Sequence, residues 1–380
     1  MTDSRSTRGQ VLALLRDQGP MPRAELARRL ALSATTITRV VAELEAEGLL
    51  AEGEAAAPSG AGRPAATLHI QAAQCRVAGI QIGIGTVQLG LFDAMGASLG
   101  SEQFDYAPES DAQAVLALVA QALDRLCAAR RIARRGLLGI GVAVPGPVDV
   151  AGRRMLISIH LHWQDIAVAD VLEQLTGLPV TVEHNVRSMA LAEVRFGRGK
   201  GIASVGFVYL RTGLGAGLVV EGQPFSGGVR GAIELGHLPV IRNGAPCVCG
   251  GRGCVETVLS EPALRATLER LDIDPQPNAL AALWTAAQRR KDAARALDAI
   301  VQPLAMGLSA LTTLLNPELV LFGGALADIP DALFELIVRE SWRGAFPAIQ
   351  NSIRMERSRL GRDVGLLGAA SVALDRLFYA

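Results

Sequence analysis

The sequence lacks a charge imbalance, a long apolar run and an apolar leader, and each absence argues against a class of protein. Its 380 residues carry 37 basic and 37 acidic side chains, so no overall field draws the chain to nucleic acid or to an anionic membrane. Contact with DNA must therefore be local. No stretch of about 18 uninterrupted apolar residues occurs, and residues 1–9 are polar with two arginines. These absences predict a cytoplasmic protein.

Length predicts two or three folding units, and one small and one large domain would fit. A chain of 380 residues exceeds the size at which a single core stops growing. Half of the residues are apolar and 19% are charged, which supplies a sizeable core and argues against a disordered chain.

Cysteine is scarce, and its distribution is uneven. Of five cysteines, Cys247, Cys249 and Cys254 fall within eight positions. An odd count in a chain of cytosolic character favours metal ligation by this cluster over disulfides. Cys75 and Cys127 are isolated and are expected to be ordinary buried small residues.

The first 50 residues predict three short helices. Apolar positions recur at helical spacing from residue 7 to 17 and stop before a Gly-Pro pair. A second helix is predicted with Pro22 at an early position. The third begins with Ser33 as N-cap and ends at Gly48.

The second and third helices are too close in sequence to pack independently, which predicts a helix-turn-helix whose third helix reads DNA. Its hydroxyl and guanidinium groups lie off the apolar stripe, where they reach phosphates and base edges. The DNA-binding residues predicted here are Ser33, Thr35, Thr36, Thr38 and Arg39. Residues 23–39 hold four arginines against one glutamate, a local positive excess.

A wing follows the helices. Residues 49–52 and 66–70 predict two strands, with a Gly/Ala/Pro/Ser-rich loop that runs to residue 61 between them. Arg63 then lies on the arm of this wing, where it can enter a minor groove. The alternative is a three-helix packing module with Arg63 merely solvated.

The remainder predicts an α/β unit. Residues 79–93 and 205–222 each predict a strand, a tight glycine turn and a second strand. Such turns let backbone N–H groups approach phosphates, although glycine turns in hairpins are more often only turns. Helical stretches around residues 112–129 and 293–315 separate further strands.

The strongest chemical pattern joins His237 to the three clustered cysteines. Three thiolates and one imidazole satisfy a tetrahedral zinc ion, and the glycines after Cys249 allow a knuckle around it. Four protein ligands leave no position for an activated water, so the predicted zinc is structural. The alternative is a buried thiol cluster without metal.

Two carboxylates close to these ligands are candidates for ligand binding. His237 bound through one nitrogen leaves the other to hydrogen-bond a small polar molecule. Glu234 and Glu256 can accept hydrogen bonds from hydroxyls at the same place. The alternative is that both are surface carboxylates.

Six ordered motifs carry a family resemblance over nearly the whole chain. They are residues 141–149 (GVAVPGPVD), 177–193 (GLPVTVEHNVRSMALAE), 213–217 (GLGAG), 231–237 (GAIELGH), 247–256 (CVCGGRGCVE) and 316–324 (NPELVLFGG). Together with the winged helix, they resemble the ROK family of repressors, open reading frames and kinases. The resemblance is to the repressor branch, which includes the N-acetylglucosamine and xylose repressors.

The resemblance implies a winged helix-turn-helix followed by an actin-like sugar-kinase fold of two lobes around a cleft. The implied units are residues 1–70 for DNA binding, 74–185 with a C-terminal helix at about 365–380 for the first lobe, and 186–364 for the second lobe with the zinc knuckle. The implied zinc ligands are His237, Cys247, Cys249 and Cys254. The sugar-binding positions assigned are His184, Asn185, Glu234, His237 and Glu256.

Departures from the kinase pattern predict a protein without catalysis. Kinases of the family have Glu-Asn-Asp where this chain has Glu183-His184-Asn185, and an asparagine amide cannot act as a general base near neutral pH. The phosphate-loop pattern Asp-x-Gly-Gly-Thr is degenerate over residues 81–85, which weakens the handling of magnesium and triphosphate. His160 and His184 stand where asparagines are frequent, so the sugar preference is expected to differ.

The sequence thus predicts a repressor of carbohydrate genes that binds operator DNA and a sugar or sugar derivative as a homodimer or homotetramer. An active sugar kinase with a fused DNA-binding module is the alternative. A DNA-binding scaffold with a vestigial cleft, indifferent to sugar, is a third possibility.

Overall fold

The structure is a computed structural model that describes residues 6–55, 66–228, 233–350 and 352–380. The N-terminal unit contains α1 (Thr7–Gln18), α2 (Arg23–Leu30), α3 (Ala34–Ala46), β1 (Leu50–Ala55) and β2 (Ala66–Ile70).

Local sequence explains the N-terminal unit. The Ser33 hydroxyl accepts a hydrogen bond from the Thr36 amide and caps α3, as predicted. The apolar stripe of α3 is buried, and β1 pairs with β2 antiparallel from Leu50 opposite Ile70. The predicted three helices and hairpin are confirmed. Pro22 differs slightly, because it precedes α2 as its N-cap, and Arg63 lies outside the described residues.

The first large sheet is built from residues 76–184 and contains the first glycine hairpin. The elements of this region are β3 (Arg76–Ile82), β4 (Thr86–Asp93), β5 (Ser98–Asp105), α4 (Ala112–Ala129), β6 (Ile140–Val144), β7 (Met155–Ser158), β8 (Trp163–Ile166), α5 (Val168–Thr176) and β9 (Val180–His184). The strand order is β5-β4-β3-β6-β9. β3, β6 and β9 run parallel, whereas β4 and β5 are antiparallel to their neighbours. β7 and β8 form a separate two-stranded sheet.

A second sheet follows, ordered β12-β11-β10-β13-β14. The remaining elements are α6 (Asn185–Phe196), β10 (Ser204–Leu210), β11 (Leu214–Val220), β12 (Gln223–Pro224), α7 (Glu256–Leu259), α8 (Glu261–Arg270), α9 (Ala279–Ala287), α10 (Lys291–Leu315), β13 (Leu319–Gly324), α11 (Asp331–Gly344), β14 (Arg354–Arg357) and α12 (Val364–Leu377). The second glycine hairpin is β10–β11, so both predicted hairpins and the α/β class are confirmed.

Two of the helices, α4 and α10, are long and apolar enough to cross a membrane by length and composition alone. Half of the apolar window of α4 and 61% of that of α10 are buried inside the fold. Their apolar sides belong to the cores beside the first and the second sheet, respectively. Both helices are therefore accounted for as core helices.

Helix α6 is shared by the two lobes. It packs on β10 and β11 of the second sheet and alongside α12, which returns from the C-terminal region to cover β3, β6 and β9. The approach of α6 to β11 requires a glycine, because a Cβ on Gly217 would lie 2.6 Å from the Val186 carbonyl oxygen. The N-terminus of α6 thereby reaches the space between the sheets.

Candidate effector cleft and metal centre

A cleft of about 680 Å³ lies between the lobes. Its first-lobe wall comes from the β3–β4 turn, the loop around β7 and the start of α6. Its second-lobe wall comes from the β10–β11 turn and from the segments that carry Glu234, His237 and Glu256. This volume and the mixture of polar groups suit a small polar ligand.

Glu256 is the most firmly held carboxylate of the cleft. It is buried, and its Oε2 accepts a hydrogen bond of 3.1 Å from the Leu214 amide. Its Oε1 lies 3.5 Å from His160 Nε2. Burial opposes ionisation, but the hydrogen bonds from His160 and Leu214 outweigh it and lower the pKa of Glu256. Glu256 is therefore an ionised hydrogen-bond acceptor.

Glu234 lies in the same wall but has a different environment. Its side chain remains accessible to a ligand in the cleft. The surrounding walls remove part of its hydration, and this desolvation raises the pKa of Glu234 despite the opposing field of His237. The two carboxylates thus differ in basicity.

Beside them, His237, Cys247, Cys249 and Cys254 form a group whose ligand atoms all lie within 4.8 Å of one another. A tetrahedral zinc ion with bonds of about 2.3 Å to sulfur and about 2.0 Å to nitrogen separates two sulfurs by about 3.8 Å and a sulfur from a nitrogen by about 3.5 Å. The Cys249 and Cys254 sulfurs are 3.7 Å apart, and Cys247 Sγ lies 3.5 Å from His237 Nδ1. The group therefore fits zinc.

The backbone around the cysteines explains how they converge. The Cys247 amide donates to the Gly251 carbonyl, and the Gly250 amide donates to the Cys247 carbonyl. Gly250 has φ of +88°, a conformation that favours glycine. Because His237 also lines the cleft, a metal held here would fix part of the cleft wall.

The first-lobe wall contains polar groups without partners. Within the described residues, Ser158 Oγ and His184 Nδ1 are buried and lack a hydrogen-bond partner, and both residues line the cleft. Burial, with the nearby Arg187 charge, lowers the pKa of His184 to about 3, so its ring is neutral. The Asn185 side-chain oxygen accepts from the Val186 amide at 2.7 Å.

The structure brings all five sugar-binding residues predicted from the sequence to this one cleft: His184, Asn185, Glu234, His237 and Glu256. Sequence reasoning treated His160 only as a departure from the family and missed its contact with Glu256. It also missed Ser158, because a serine at the end of a strand carries no signal until the fold turns it inward.

The glycine hairpins are less available to phosphate than their sequences indicate. The Gly83 amide donates to the Thr86 carbonyl within the first turn, and the Leu214 amide in the second turn donates to Glu256. Two amides expected near phosphates are therefore already used. In these places, the alternative reading as ordinary turns is the better one.

Five of the six predicted DNA-binding residues lie at the N-cap or in the first two turns of α3, and the sixth, Arg63, lies outside the described residues. Ser33, Thr35, Thr38 and Arg39 are exposed and Thr36 is half-buried. The Ser33 and Thr36 hydroxyls are 2.8 Å apart, and the Thr38 hydroxyl donates to the Ala34 carbonyl. This face presents short hydroxyls and one long cation to solvent, a surface that suits a groove of DNA.

The local positive charge is smaller than the sequence count indicates. Arg23 pairs with Glu45 at 2.9 Å and also with Glu52, and Arg39 pairs with Glu43 at 2.7 Å. These glutamates lie after residue 39 in the sequence, so the count over residues 23–39 omitted them. The pairs are partly or largely exposed, and such pairs contribute little free energy, so phosphates can replace the carboxylates.

Comparisons with known proteins agree with this architecture. A model of the ROK family matches residues 77–376, and a model of the MarR family matches residues 6–51. A putative xylose repressor of Caldicellulosiruptor sp. (strain Rt8B.4) is 26% identical, over 96% of this chain and 94% of the repressor. A glucokinase of Halalkalibacterium halodurans is 28% identical, over 76% of this chain and 92% of the kinase.

Among solved structures, a ROK family transcriptional regulator described as a homolog of the E. coli Mlc protein superposes with a TM-score of 0.83 at 26% identity. The match covers 98% of this chain and 96% of that regulator. The likeness therefore includes the N-terminal unit together with both lobes.

Proposed function

Because the chain belongs to the ROK family, we propose that it is a sequence-specific DNA-binding regulator of carbohydrate genes and that it acts as a repressor. One observation carries the proposal. A winged-helix unit with an exposed α3 face and a cleft lined by carboxylates and histidines occur in one chain. The match to the solved regulator extends over 98% of this chain, whereas the glucokinase match covers 76%.

A sugar is the effector that suits the cleft. Ionised Glu256 and accessible Glu234 accept hydrogen bonds from hydroxyl groups. Ser158 and His184 also line the cleft, and each has a buried polar atom without a partner among the described residues. Buried polar groups without partners disfavour the empty state, so a ligand that bonds them gains affinity. A polyol ring supplies such bonds on several sides. Binding of the sugar alters operator affinity only through its different affinity for two arrangements of the protein.

The metal expected at the four-ligand group is zinc, with a structural role. His237, Cys247, Cys249 and Cys254 would hold it, and the filled coordination shell leaves no position for an activated water. With a metal bound, these four residues would cross-link the knuckle and so support the second-lobe wall of the cleft.

Catalysis is not expected of this chain. Asn185 stands at the start of α6 in the cleft, where a carboxylate would be needed to take a proton from a sugar hydroxyl. The turn amides discussed above are occupied, which also disfavours phosphate binding. We further propose that the protein is cytoplasmic. We also propose that it acts as a homodimer or homotetramer, because two winged helices bind the two halves of an inverted repeat.

Retention of DNA tests the regulatory function. The full chain is mixed at low salt with fragments that cover the region upstream of its own gene, and mobility shift is measured. We expect one fragment to be retained, and Arg39→Ala together with Thr38→Ala to weaken binding by about tenfold or more. Arg134→Ala, remote from α3, is the matched control. Failure to retain any fragment contradicts the proposal.

A thermal-shift screen tests the effector. D-glucose, D-xylose, N-acetyl-D-glucosamine and their phosphates are added to the purified protein. A ligand at 100 times its Kd stabilises the native state by about 2.7 kcal/mol. An effector should raise the Tm and also change the retention of the operator fragment. Operator binding that no sugar alters would instead indicate a scaffold with a vestigial cleft.

An active sugar kinase with a fused DNA-binding module remains the competing function, because the match to the glucokinase includes 92% of the length of that enzyme. A coupled assay for sugar-dependent ATP consumption distinguishes the two. We expect no turnover from the natural chain. Asn185→Asp is expected to restore at most a trace, because the first phosphate turn is also degenerate. Robust turnover by the natural chain would establish the kinase.

A further inference from the structure

A buried ion cluster joins the DNA-binding unit to the lobes. Asp375 on α12 forms ion pairs with Arg195 of α6 and with Arg16 of α1. The side chains of Arg16 and Arg195 are 0% and 4% exposed, and that of Asp375 is 15% exposed. These three residues, here termed the Asp375 cluster, come from three different parts of the chain.

Arg195 is fixed on two sides. Its Nε lies 2.9 Å from Asp375 Oδ1 and its Nη2 lies 2.6 Å from Oδ2, a bidentate pairing. Nη2 also donates to the Gly222 carbonyl oxygen, in the turn between β11 and β12. The C-terminal end of α6 is thereby tied to α12 and to the second sheet together.

Arg16 completes the cluster from the DNA-binding side. Its Nη1 lies 3.3 Å from Asp375 Oδ1, the same oxygen that Arg195 Nε contacts. Its guanidinium also pairs with Asp17 at 2.7 Å and lies 4.3 Å from the centre of the Tyr379 ring. The Tyr379 hydroxyl in turn donates to the Ala94 carbonyl of the first lobe. Helix α1 therefore packs against the C-terminal residues of the chain.

The other end of α6 lies in the cleft. Asn185, its first residue, and His184, its N-cap, line the candidate effector site. Arg195 lies ten positions after Asn185, a length of about 15 Å along a helix. One rigid element therefore connects the cleft to the Asp375 cluster.

Stabilisation of the fold alone explains the cluster less well. Replacing buried ion pairs by apolar residues is often neutral or stabilising, because desolvating the charges is costly. Here α1 and the C-terminal residues from α12 onwards belong to one hydrophobic core, which includes Leu12, Leu15 and Phe378. What directional ion pairs add to such a contact is a defined relative position of the elements that they join.

We propose that the Asp375 cluster is the coupling joint of the regulator, which transmits displacement of α6 at the cleft to the winged-helix unit. Its residues are positioning residues, and the inference rests on the proposed function. A ligand that moves the start of α6 also moves Arg195 at the other end of the helix. Asp375, which Arg195 contacts, then changes its position, and so does Arg16. The winged helix then changes its placement relative to the lobes.

Hydrogen–deuterium exchange of the full chain without ligand tests the joint. Asp375→Asn keeps the size of the side chain and removes its charge. We expect exchange to become faster by about threefold or more in α1 and also at residues 183–188, at the cleft end of α6. Residues 183–188 do not contact Asp375 in the structure, so a local structural role would leave them unchanged.

Two further variants keep the test decisive. Arg195→Lys retains the charge and gives up the bidentate geometry, so it serves if Asp375→Asn fails to fold, and it should show the same pattern with smaller changes. Asp124→Asn removes the partner of Arg134 on the first lobe, a pair of 2.8 Å, and should leave both regions unchanged. Changes confined to residues that touch the substituted side chain would overturn the joint.

The outcome separates the joint from the proposed function. If the natural chain retains an operator fragment but the variants show only local changes in exchange, the proposed regulatory function is supported and the coupling role of the Asp375 cluster is contradicted. If exchange changes reach residues 183–188 but the natural chain retains no DNA, the coupling is supported and the regulatory function is contradicted. If both hold, operator binding to the natural chain should slow exchange at residues 183–188, and Asp375→Asn should abolish that effect.

Discussion

The two walls of the cleft differ in how their polar groups are satisfied. On the second-lobe wall, Glu256 accepts from the Leu214 amide and contacts His160, and the adjacent four-ligand group fits a metal ion. On the first-lobe wall, Ser158 Oγ and His184 Nδ1 are buried without a partner in the described part of the chain. The buried carboxylate of the second-lobe wall, here called the completed wall, has its partners before any ligand arrives. The first-lobe wall, here called the incomplete wall, contains buried polar atoms without partners in the described residues.

This difference assigns separate roles to the walls. A wall whose acceptors are already oriented binds hydroxyl groups with little loss of conformational entropy. A wall with unpartnered groups penalises the empty state by about 1–3 kcal/mol for each group and rewards only the ligand that bonds it. The second lobe is therefore expected to supply affinity, and the first lobe to supply discrimination between sugars.

Removing a metal ligand should break the completed wall and have the largest effect. Cys254→Ser is expected to abolish stoichiometric zinc and to destabilise the second lobe by about 3 kcal/mol, a Tm decrease of roughly 6–12 °C. Sugar affinity should fall with it, because His237 belongs to both the metal group and the cleft. Metal analysis, calorimetry and titration with the sugar measure the three effects.

Cys127→Ala is the matched control, since Cys127 is buried and lies outside the metal group. It should keep zinc and sugar affinity, with only the loss expected for a small cavity. A chelator that extracts the metal without changing the Tm would show that the group does not stabilise the wall.

Glu256→Gln should have the next largest effect, mainly on affinity. The substitution keeps the shape but removes the charge that receives the Leu214 amide and His160. Hydrogen bonds to a charged group contribute about 1.5–3 kcal/mol, so sugar affinity is expected to fall by about 10- to 100-fold in calorimetric titration. Glu261→Gln, an exposed carboxylate at the same cleft, is the control and should change affinity less than about threefold.

Much of this arrangement could be predicted from the sequence, because it rests on local patterns. Ser33 as N-cap, the two glycine hairpins and the spacing from His237 to Cys254 each specify a short segment. The two walls could be recognised as parts of one site only through the family resemblance, since local spacing does not place Asn185 opposite Glu256.

Contacts between distant segments could not be predicted. Arg23 meets Glu52 across the winged-helix unit, so a count of charges within one stretch overstated its basicity. Asp375 joins Arg16 and Arg195 across more than 350 and 150 positions, respectively. Such pairs depend on tertiary packing, for which a single sequence carries no period or spacing.

The incomplete wall can be tested by removing an unpartnered hydroxyl. Ser158→Ala should stabilise the ligand-free protein by up to about 1–3 kcal/mol, because a buried hydroxyl without a partner is lost. The same change should weaken binding of the sugar that bonds this hydroxyl. Thr181→Val is a close control, because Thr181 Oγ1 is also buried and unpartnered but does not line the cleft. It should stabilise without altering affinity.

A pH titration of stability should reveal the smallest effect, the pairing of His160 with Glu256. The hydrogen bond to Glu256 raises the pKa of His160 above its usual value, against the opposing effect of burial, and Glu234 adds to the increase. A raised pKa means that this stabilisation is fully present below about pH 6.5 and is lost as the pH rises through the raised value. On the acid side it is lost as Glu256 becomes protonated. Because the His160 side chain is 32% exposed, the contribution should stay below about 1 kcal/mol.

Chemical denaturation of the ligand-free protein between pH 6 and pH 8.5, in about half-unit steps, measures this contribution. His160→Asn should remove the part of the pH dependence that comes from the ion pair. His162→Asn should retain it, since His162 is exposed and forms no ion pair in the described part of the chain. Equal pH dependence in the natural chain and His160→Asn would mean that Glu256 is held by the Leu214 amide alone. The completed wall would then owe its order to the backbone and the metal group, without a contribution from the histidine.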